Sequence, residues 1–342
     1  QAKVMARKYD VVVTNPPYMG AKNMGSKLKD YLGHRYRQVK TDLFSAFIIR
    51  CRDMSKPAGH LGFMCPFVWM FIASYEWMRR ELCIHSQITT LVQLEYSGFD
   101  GATVPICTFT LRNSTVSDRG VYIRLSEFRG SEQQGPMALR AIREPTVAYR
   151  YVSSASDFNR IPGSPMAYWA SEAVMDAFDI GQPLGDIASS RVGMTTSDNA
   201  RFLRLWPEVG LCRIGFDMHS REEARKSECR WFPCHKGGEF RKWYGNNDYL
   251  VDWECDGERI RETGRAVIRN AGYYFLPGLT WTSVSSSRFG VRSSPGGFIF
   301  DHAGNVTFPA EEDHFYVAAF LCSRLAFEFL KMLNPTLNFQ VG

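Results

Sequence analysis

Asn15, Pro16, Pro17 and Tyr18 are the residues of this sequence whose types and spacing could do chemistry. An amide followed by two prolines offers two acceptors, the Asn15 amide oxygen and the Pro16 carbonyl, on a backbone with little freedom left to lose. Such a pair suits an exocyclic amino group conjugated to a base ring. The lone pair of that group is delocalised and it is a poor nucleophile, but acceptors on its two N–H bonds push it toward a tetrahedral, attacking geometry. Tyr18 adds a rigid face on which a base taken out of its duplex could stack. No cysteine nucleophile is needed. Four residues of this composition also arise by chance, as a turn that ends a strand while the tyrosine simply packs. Position favours the chemistry, because ligands of open α/β sheets bind outside the carboxyl ends of strands.

The elements that must position these residues can be read from the flanking sequence. Residues 9–14 (YDVVVT) are a β-branched run suited to a buried parallel strand, which the prolines stop because they supply no donor to a ladder. Residues 42–54 (DLFSAFIIRCRDM) set Leu43, Phe47 and either Ile48 or Cys51 on one helical face, with Asp42 as N-cap. A second strand is expected over 60–66, a helix over 71–83 and a third strand over 88–95. A fourth strand over 105–112 follows after about ten residues, a connection that suits an antiparallel hairpin better than a crossover. Residues 1–113 therefore read as the closing half of an α/β sheet with a reversed last strand. Residues 114–165, richer in Gly, Ser and Pro, read as a connector with short strands. Residues 166–342 read as a mixed α+β region, with an amphipathic helix over 315–333, that stops on the approach to a further element.

The 342 residues, 45% hydrophobic and 22% charged, are ample for packed cores and exclude a wholly disordered chain. The longest strongly apolar uncharged stretch, residues 61–75, falls short of the ~20 residues that cross a bilayer, and residues 1–10 lack the apolar centre of a secretory signal. No membrane partner and a cytoplasmic location are expected. Nine cysteines without compact spacing fit reduced thiols. Cys229, Cys234 and His235, with Cys212 and His219 upstream, lack the paired knuckles of a structural zinc site, so no metal is assigned. The net charge is +6, yet residues 1–52 alone hold 11 Lys/Arg against 3 Asp/Glu. A positive field concentrated there is either a solvated face or the footprint of a polyanion.

The runs VVVTNPPY, DLFSAF at 42–47, GHLGFMCPFVWM at 59–70 and GFDGATVPICTFTL at 98–111 resemble, in order and spacing, the amino-methylating DNA methyltransferases. The adenine-N6 branch is the nearest. The later segments KGGEFRKWYGNNDYLVDWE, GLTWTSVSSSRFGVRS and LNPTLNFQVG are similar to the methyltransferases of BREX phage-resistance systems, which extends the resemblance over nearly the whole chain. It implies the second half of a Rossmann-like methyltransferase sheet followed by a target-recognition region, acting on double-stranded DNA with S-adenosylmethionine as donor. It also implies residue roles. Asn15 and the Pro16 carbonyl would bind the adenine amino group, Pro17 would stiffen the turn, and Tyr18 would stack on the extruded base. Phe99 would hold that base from another side, and Phe47 would contact the adenine of the donor.

The family's Gly-rich donor loop and its acidic ribose partner precede the NPPY strand, where this sequence has only residues 1–8. The chain thus reads as an internal fragment, inactive alone, whose donor half lies upstream in the same enzyme or in another chain, with other phage-defence proteins as further partners. Residues 11–13 would then form an unpaired edge. In the recognition region Arg191, Arg241, Lys242, Arg288 and Arg292 sit among Gly, Ser, Thr and aromatics, a setting that suits phosphate contacts more than base reading. Two other readings stand beside this one. Protein glutamine methyltransferases carry the same tetrapeptide, because a glutamine amide poses the same nucleophile problem. A non-catalytic DNA-binding or partner-binding module of a restriction-like system is the third.

Overall fold

The computed structural model describes residues 4, 6–96, 98, 104–115, 118–285, 288–334, 339 and 341. These form two compact units, Gln1–Gly181 and Gln182–Gly342.

The first unit is built on a six-stranded sheet of order β1-β2-β4-β3-β5-β6. β1 (Tyr9–Thr14) pairs in parallel with β2 (Ser55–Pro66), with Val12 opposite Leu61 and Thr14 opposite Phe63. β1 is the outer strand of this sheet, so Val11 and Val13 stand exposed where a buried parallel strand would have hidden them. Helix α1 (Ser26–Arg35) buries only Leu32, which leaves its polar sequence without a visible apolar stripe. Helix α2 (Leu43–Met54) crosses from β1 to β2 and buries Phe44, Ala46, Ile48, Ile49 and Cys51. Phe47 is not among them.

The reversed strand is β4 (Ile106–Arg112), and it lies antiparallel to both of its neighbours, β2 and β3 (Gln87–Gln93). It brings Phe109 against Phe63 and Trp69, at ring-centroid distances of 5.2 and 4.9 Å. The segment expected as a connector adds two further strands, β5 (Gly120–Arg124), parallel to β3, and β6 (Arg150–Ser153), antiparallel to β5. Burying the large side chains of α2, β2 and β4 supplies roughly 1.5–3 kcal/mol each.

Helix α3 (Glu76–His85) starts later than the apolar periodicity suggests. The residues before it form tight turns at Phe67–Met70 and Ala73–Tyr75, which bury Trp69, Met70, Phe71 and Tyr75. One side chain holds this arrangement. Arg79, 1% exposed, donates to the carbonyls of Trp69 and Ile72 at 2.8 Å each, to Ser164 at 3.0 Å and to Gly163 at 2.6 Å. It gives the Trp69, Gly163 and Ser164 carbonyls a donor and the Ile72 carbonyl, which also accepts from the Tyr75 N–H at 3.0 Å, a second one.

The second unit holds two four-stranded sheets, for which the strands are β7 (Ala188–Arg191), β8 (Leu203–Leu205), β9 (Trp231–His235), β10 (Tyr249–Asp252), β11 (Gly278–Thr282), β12 (Val291–Ser294), β13 (Ile299–Phe300) and β14 (Gly304–Pro309). One sheet runs β13-β9-β10-β8, the other β12-β11-β14-β7. The helix expected over 315–333 is two, α4 (His314–Leu321) and α5 (Arg324–Leu333), because the Ser323 hydroxyl accepts from the Ala326 N–H at 3.1 Å and caps a new start. All nine cysteines are unpaired. Among the described residues no helix is long and apolar enough to cross a membrane.

Replacing Arg79 by Met removes the side-chain donor from four carbonyls at once, of which that of Ile72 still accepts from the Tyr75 N–H at 3.0 Å. The loss expected is about 3 kcal/mol or more, read as a lower denaturation midpoint of the first unit together with faster amide exchange at Met166, whose N–H bonds the Met70 carbonyl at 2.9 Å. An unchanged midpoint would show that water serves these carbonyls equally well.

Candidate functional site

The four residues after β1 lie at the carboxyl end of the β1–β2 parallel pair. Asn15, Pro17 and Tyr18 are exposed, and Pro16 is buried. The Tyr18 hydroxyl lies 3.0 Å from the Asn15 amide oxygen and 3.2 Å from the carbonyl of Met64 on β2. It has one proton to donate, so the two acceptors share it. The ring is 37% exposed. Partial burial pushes its phenol up to about 12, and the thiols of Cys65 and Cys107, facing each other across β2 and β4, push the same way.

Asp42 fixes the return of the chain. Its carboxylate accepts from the Phe44 N–H at 3.3 Å, which caps α2, and from the Met19 N–H at 3.1 Å. The Leu43 N–H in turn donates to the Met19 carbonyl at 3.0 Å, and the Ala21 N–H to the Thr41 carbonyl at 3.0 Å. The residue that follows Tyr18 is therefore clamped to the start of α2. Local sequence shows the cap, but the bond to Met19 joins residues 23 apart and leaves no local signal. Phe47 projects from the first turns of α2 with 38% of its surface exposed, while Phe44 in the same motif is buried. One ring of DLFSAF serves the core and the other has a face left for a ligand. Phe99 lies outside the described residues.

The five cations singled out in the second unit have different settings. Arg191 donates to the Ser190 carbonyl at 2.9 Å and to the Tyr273 hydroxyl at 3.0 Å, and its guanidinium lies over the Tyr273 ring at 4.8 Å. That bond holds the Tyr273 phenol below its usual range. Lys242 donates to the Cys322 carbonyl. Arg241 and Arg288 are exposed, and Arg292 is buried.

Residues 2–99 match the Eco57I restriction-modification methylase family. The whole chain is similar to the adenine-specific methyltransferase PglX of Lacticaseibacillus casei (strain Zhang), 35% identical over an alignment covering 99% of this chain and 29% of that protein. It is also similar to the adenine-specific methyltransferase BrxX of Escherichia coli O9:H4 (strain HS), 33% identical over 100% of this chain and 28% of that protein. The chain thus spans less than a third of the length of the curated relatives it matches. The structure of the Type IIL restriction-modification enzyme MmeI in complex with DNA shares the fold, with a TM-score of 0.55 at 13% identity over 90% of this chain and 42% of that one.

The raised Tyr18 phenol has a readable sign. A folded-state value above the ordinary 10 favours the protonated hydroxyl, so its contribution is complete below pH ~10 and is lost as pH climbs toward about 12. In a difference ultraviolet titration, Tyr18→Phe is expected to delete a tyrosinate transition near 12. A deleted transition near 10 would mean that the ring is fully solvated.

Proposed function

We propose that this chain carries the target-amine half of the catalytic site of a DNA adenine-N6 methyltransferase, in a protein of its relatives' length that marks host DNA in phage defence. The observation that carries this reading is the Asn15 amide oxygen, exposed at a strand's carboxyl end and met there by an O–H donor from Tyr18. An amide oxygen that already accepts from a neighbouring hydroxyl can accept from a substrate N–H in the same direction. The adenine-specific names of both relatives support the choice of base.

In this mechanism the flipped adenine slides over the Tyr18 ring, and one N6–H replaces the hydroxyl at Asn15 while the Pro16 carbonyl takes the other. Both bonds strengthen as the nitrogen pyramidalises, so they stabilise the transition state more than the ground state. The hydroxyl displaced from Asn15 keeps the Met64 carbonyl as its acceptor, which leaves the ring anchored during the exchange. S-adenosylmethionine, when bound, would supply the electrophilic methyl group and leave as its neutral thioether, and the methylated N6 would return to neutral by losing to water one of the two protons held at Asn15 and Pro16. Of the groups described here the half-exposed Phe47 face fits its adenine ring. The remaining donor contacts fall to the greater part of the relatives' length, which this chain does not span. The β1, β2, β4, β3 order, with one reversed strand, fits the closing half of a Rossmann-like methyltransferase sheet. Residues 166–342 would carry the target-recognition region on double-stranded DNA, with the second unit from Gln182 as its folded body, while residues 114–165 complete the first unit's sheet with β5 and β6 and do not form a separate connector.

Asn15→Ala, in a protein of the relatives' length, is expected to lower single-turnover methylation by ~10²-fold or more while DNA affinity stays within a few-fold. Near-normal turnover would remove Asn15 from the site. Base–aromatic stacking is worth ~1–3 kcal/mol, so Tyr18→Ala should cut the fluorescence gain of 2-aminopurine placed at the target position, and Tyr18→Phe should retain most of it. Equal gains in wild type and Tyr18→Ala would argue against stacking.

A further inference from the structure

Among the cations of the second unit one stands apart. Arg292 on β12 is 2% exposed, its Nε has no hydrogen-bond partner, and no carboxylate pairs with it among the described residues. Its cross-strand neighbour is Thr280, also buried and without a partner for its hydroxyl. Burial and the nearby cation Arg241 together pull the guanidinium down to about 10, with nothing opposing them. Other buried charges of this unit are paired: Asp252 accepts from Arg230 and Arg259, and Asp301 from Lys236. An isolated buried charge is costly, and proteins keep one where a ligand completes it.

Arg292 borders a narrow recess open to solvent, lined by Gly238, Thr282, Ser285, Arg288 and Gly290 together with the rings of Phe240, Phe289 and Phe339, with no acidic side chain among these lining residues. Arg288 is exposed. The wall formed by residues 238–246 is fixed in place. The Trp243 N–H donates to the Val291 carbonyl at 2.8 Å, and the Ser293 N–H to the Trp243 carbonyl at 2.9 Å. Gly290 has no room for a Cβ, which would stand 2.5 Å from the Arg241 carbonyl. Trp243 is held at φ 72° and Asn246 at φ 59°, left-handed conformations that ordinary loops avoid. The strained turn leaves Trp243 57% and Tyr244 72% exposed, next to Arg241. Exposed rings beside cations form a surface on which nucleic acid lies well.

We propose that the recess around Arg292 seats one phosphate of a DNA backbone, held by Arg292 from within and Arg288 at the mouth, with the Trp243–Tyr244 turn lying against the adjoining strand. This rests on the DNA reading above and adds the place where the second unit grips its partner. A guanidinium fork matches phosphate oxygens bidentately. Such a contact sets register and affinity without reading sequence.

The test uses Arg292→Gln and the exposed-site variant Arg288→Gln in a protein of the relatives' length. Inorganic phosphate is expected to raise the melting temperature of wild type and not of Arg292→Gln. Duplex affinity should fall roughly tenfold alike for target and non-target DNA, and the slope of log affinity against log salt should shrink by about 0.9. A folded Arg292→Gln with an unchanged slope overturns the proposal. Should that variant fail to fold, an unchanged slope in Arg288→Gln overturns it equally. Protection by phosphate with no change in DNA slope would make the recess a small-anion site and overturn the DNA assignment. Wild type that methylates DNA while both variants keep its slope would sink the seat alone. Arg292-dependent phosphate protection in a wild type that does not bind DNA would instead sink the methyltransferase reading.

Discussion

Two consecutive prolines cannot donate to a β ladder, and this constraint shapes the first unit. β1 must stop at Thr14 because residues 16 and 17 have no N–H to offer β2, which continues to Pro66. Asn15 is thereby left at the end of the sheet with its amide outside any ladder. The chain then turns back, and Asp42 catches it by the Met19 N–H. Because the same carboxylate caps α2, the position of the tetrapeptide and the position of the helix carrying Phe47 are set by one side chain. A shift of either moves the other.

Tyr18 makes fewer fixed contacts than Asp42, and the role proposed for it depends on that. Its hydroxyl shares one proton between a side-chain oxygen and a main-chain oxygen, and only the main-chain acceptor is fixed by the sheet. In the proposed mechanism a substrate amino group would compete for the side-chain oxygen alone. The tyrosine can therefore occupy the acceptor in the free protein and yield it without losing its own anchor. Exposure of Asn15 with its oxygen satisfied costs little in the resting state, whereas a buried unsatisfied amide would.

The sequence made legible whatever is encoded within a few residues. The strand over 9–14, the proline stop, the Asp42 cap and the antiparallel placement of residues 106–112 rest on local pattern and connection length. Long-range exchange is what stayed hidden. Arg79 reads as one charge on a helix, yet it serves carbonyls near residue 70 and near residue 163, and so sets where α3 begins. α1 buries a single leucine, and the break between α4 and α5 turns on one serine hydroxyl within an otherwise continuous apolar period. β5 and β6 are short, and their membership in the sheet depends on the neighbour that β3 provides.

The same limit governs the basic residues of the second unit, which composition alone treats as equal. Arg191 is bound by Tyr273 and Lys242 by a helix-end carbonyl, so each has its charge engaged within the fold and would have to break an internal contact to meet a ligand. Arg292 has the opposite character, desolvated and uncompensated. The difference lies in what lies across the strand: β11 presents Thr280 to Arg292, a neutral hydroxyl, where an aspartate would have completed a structural ion pair. In a unit whose buried carboxylates Asp252 and Asp301 are both paired, that omission leaves Arg292 with much to gain from an incoming anion.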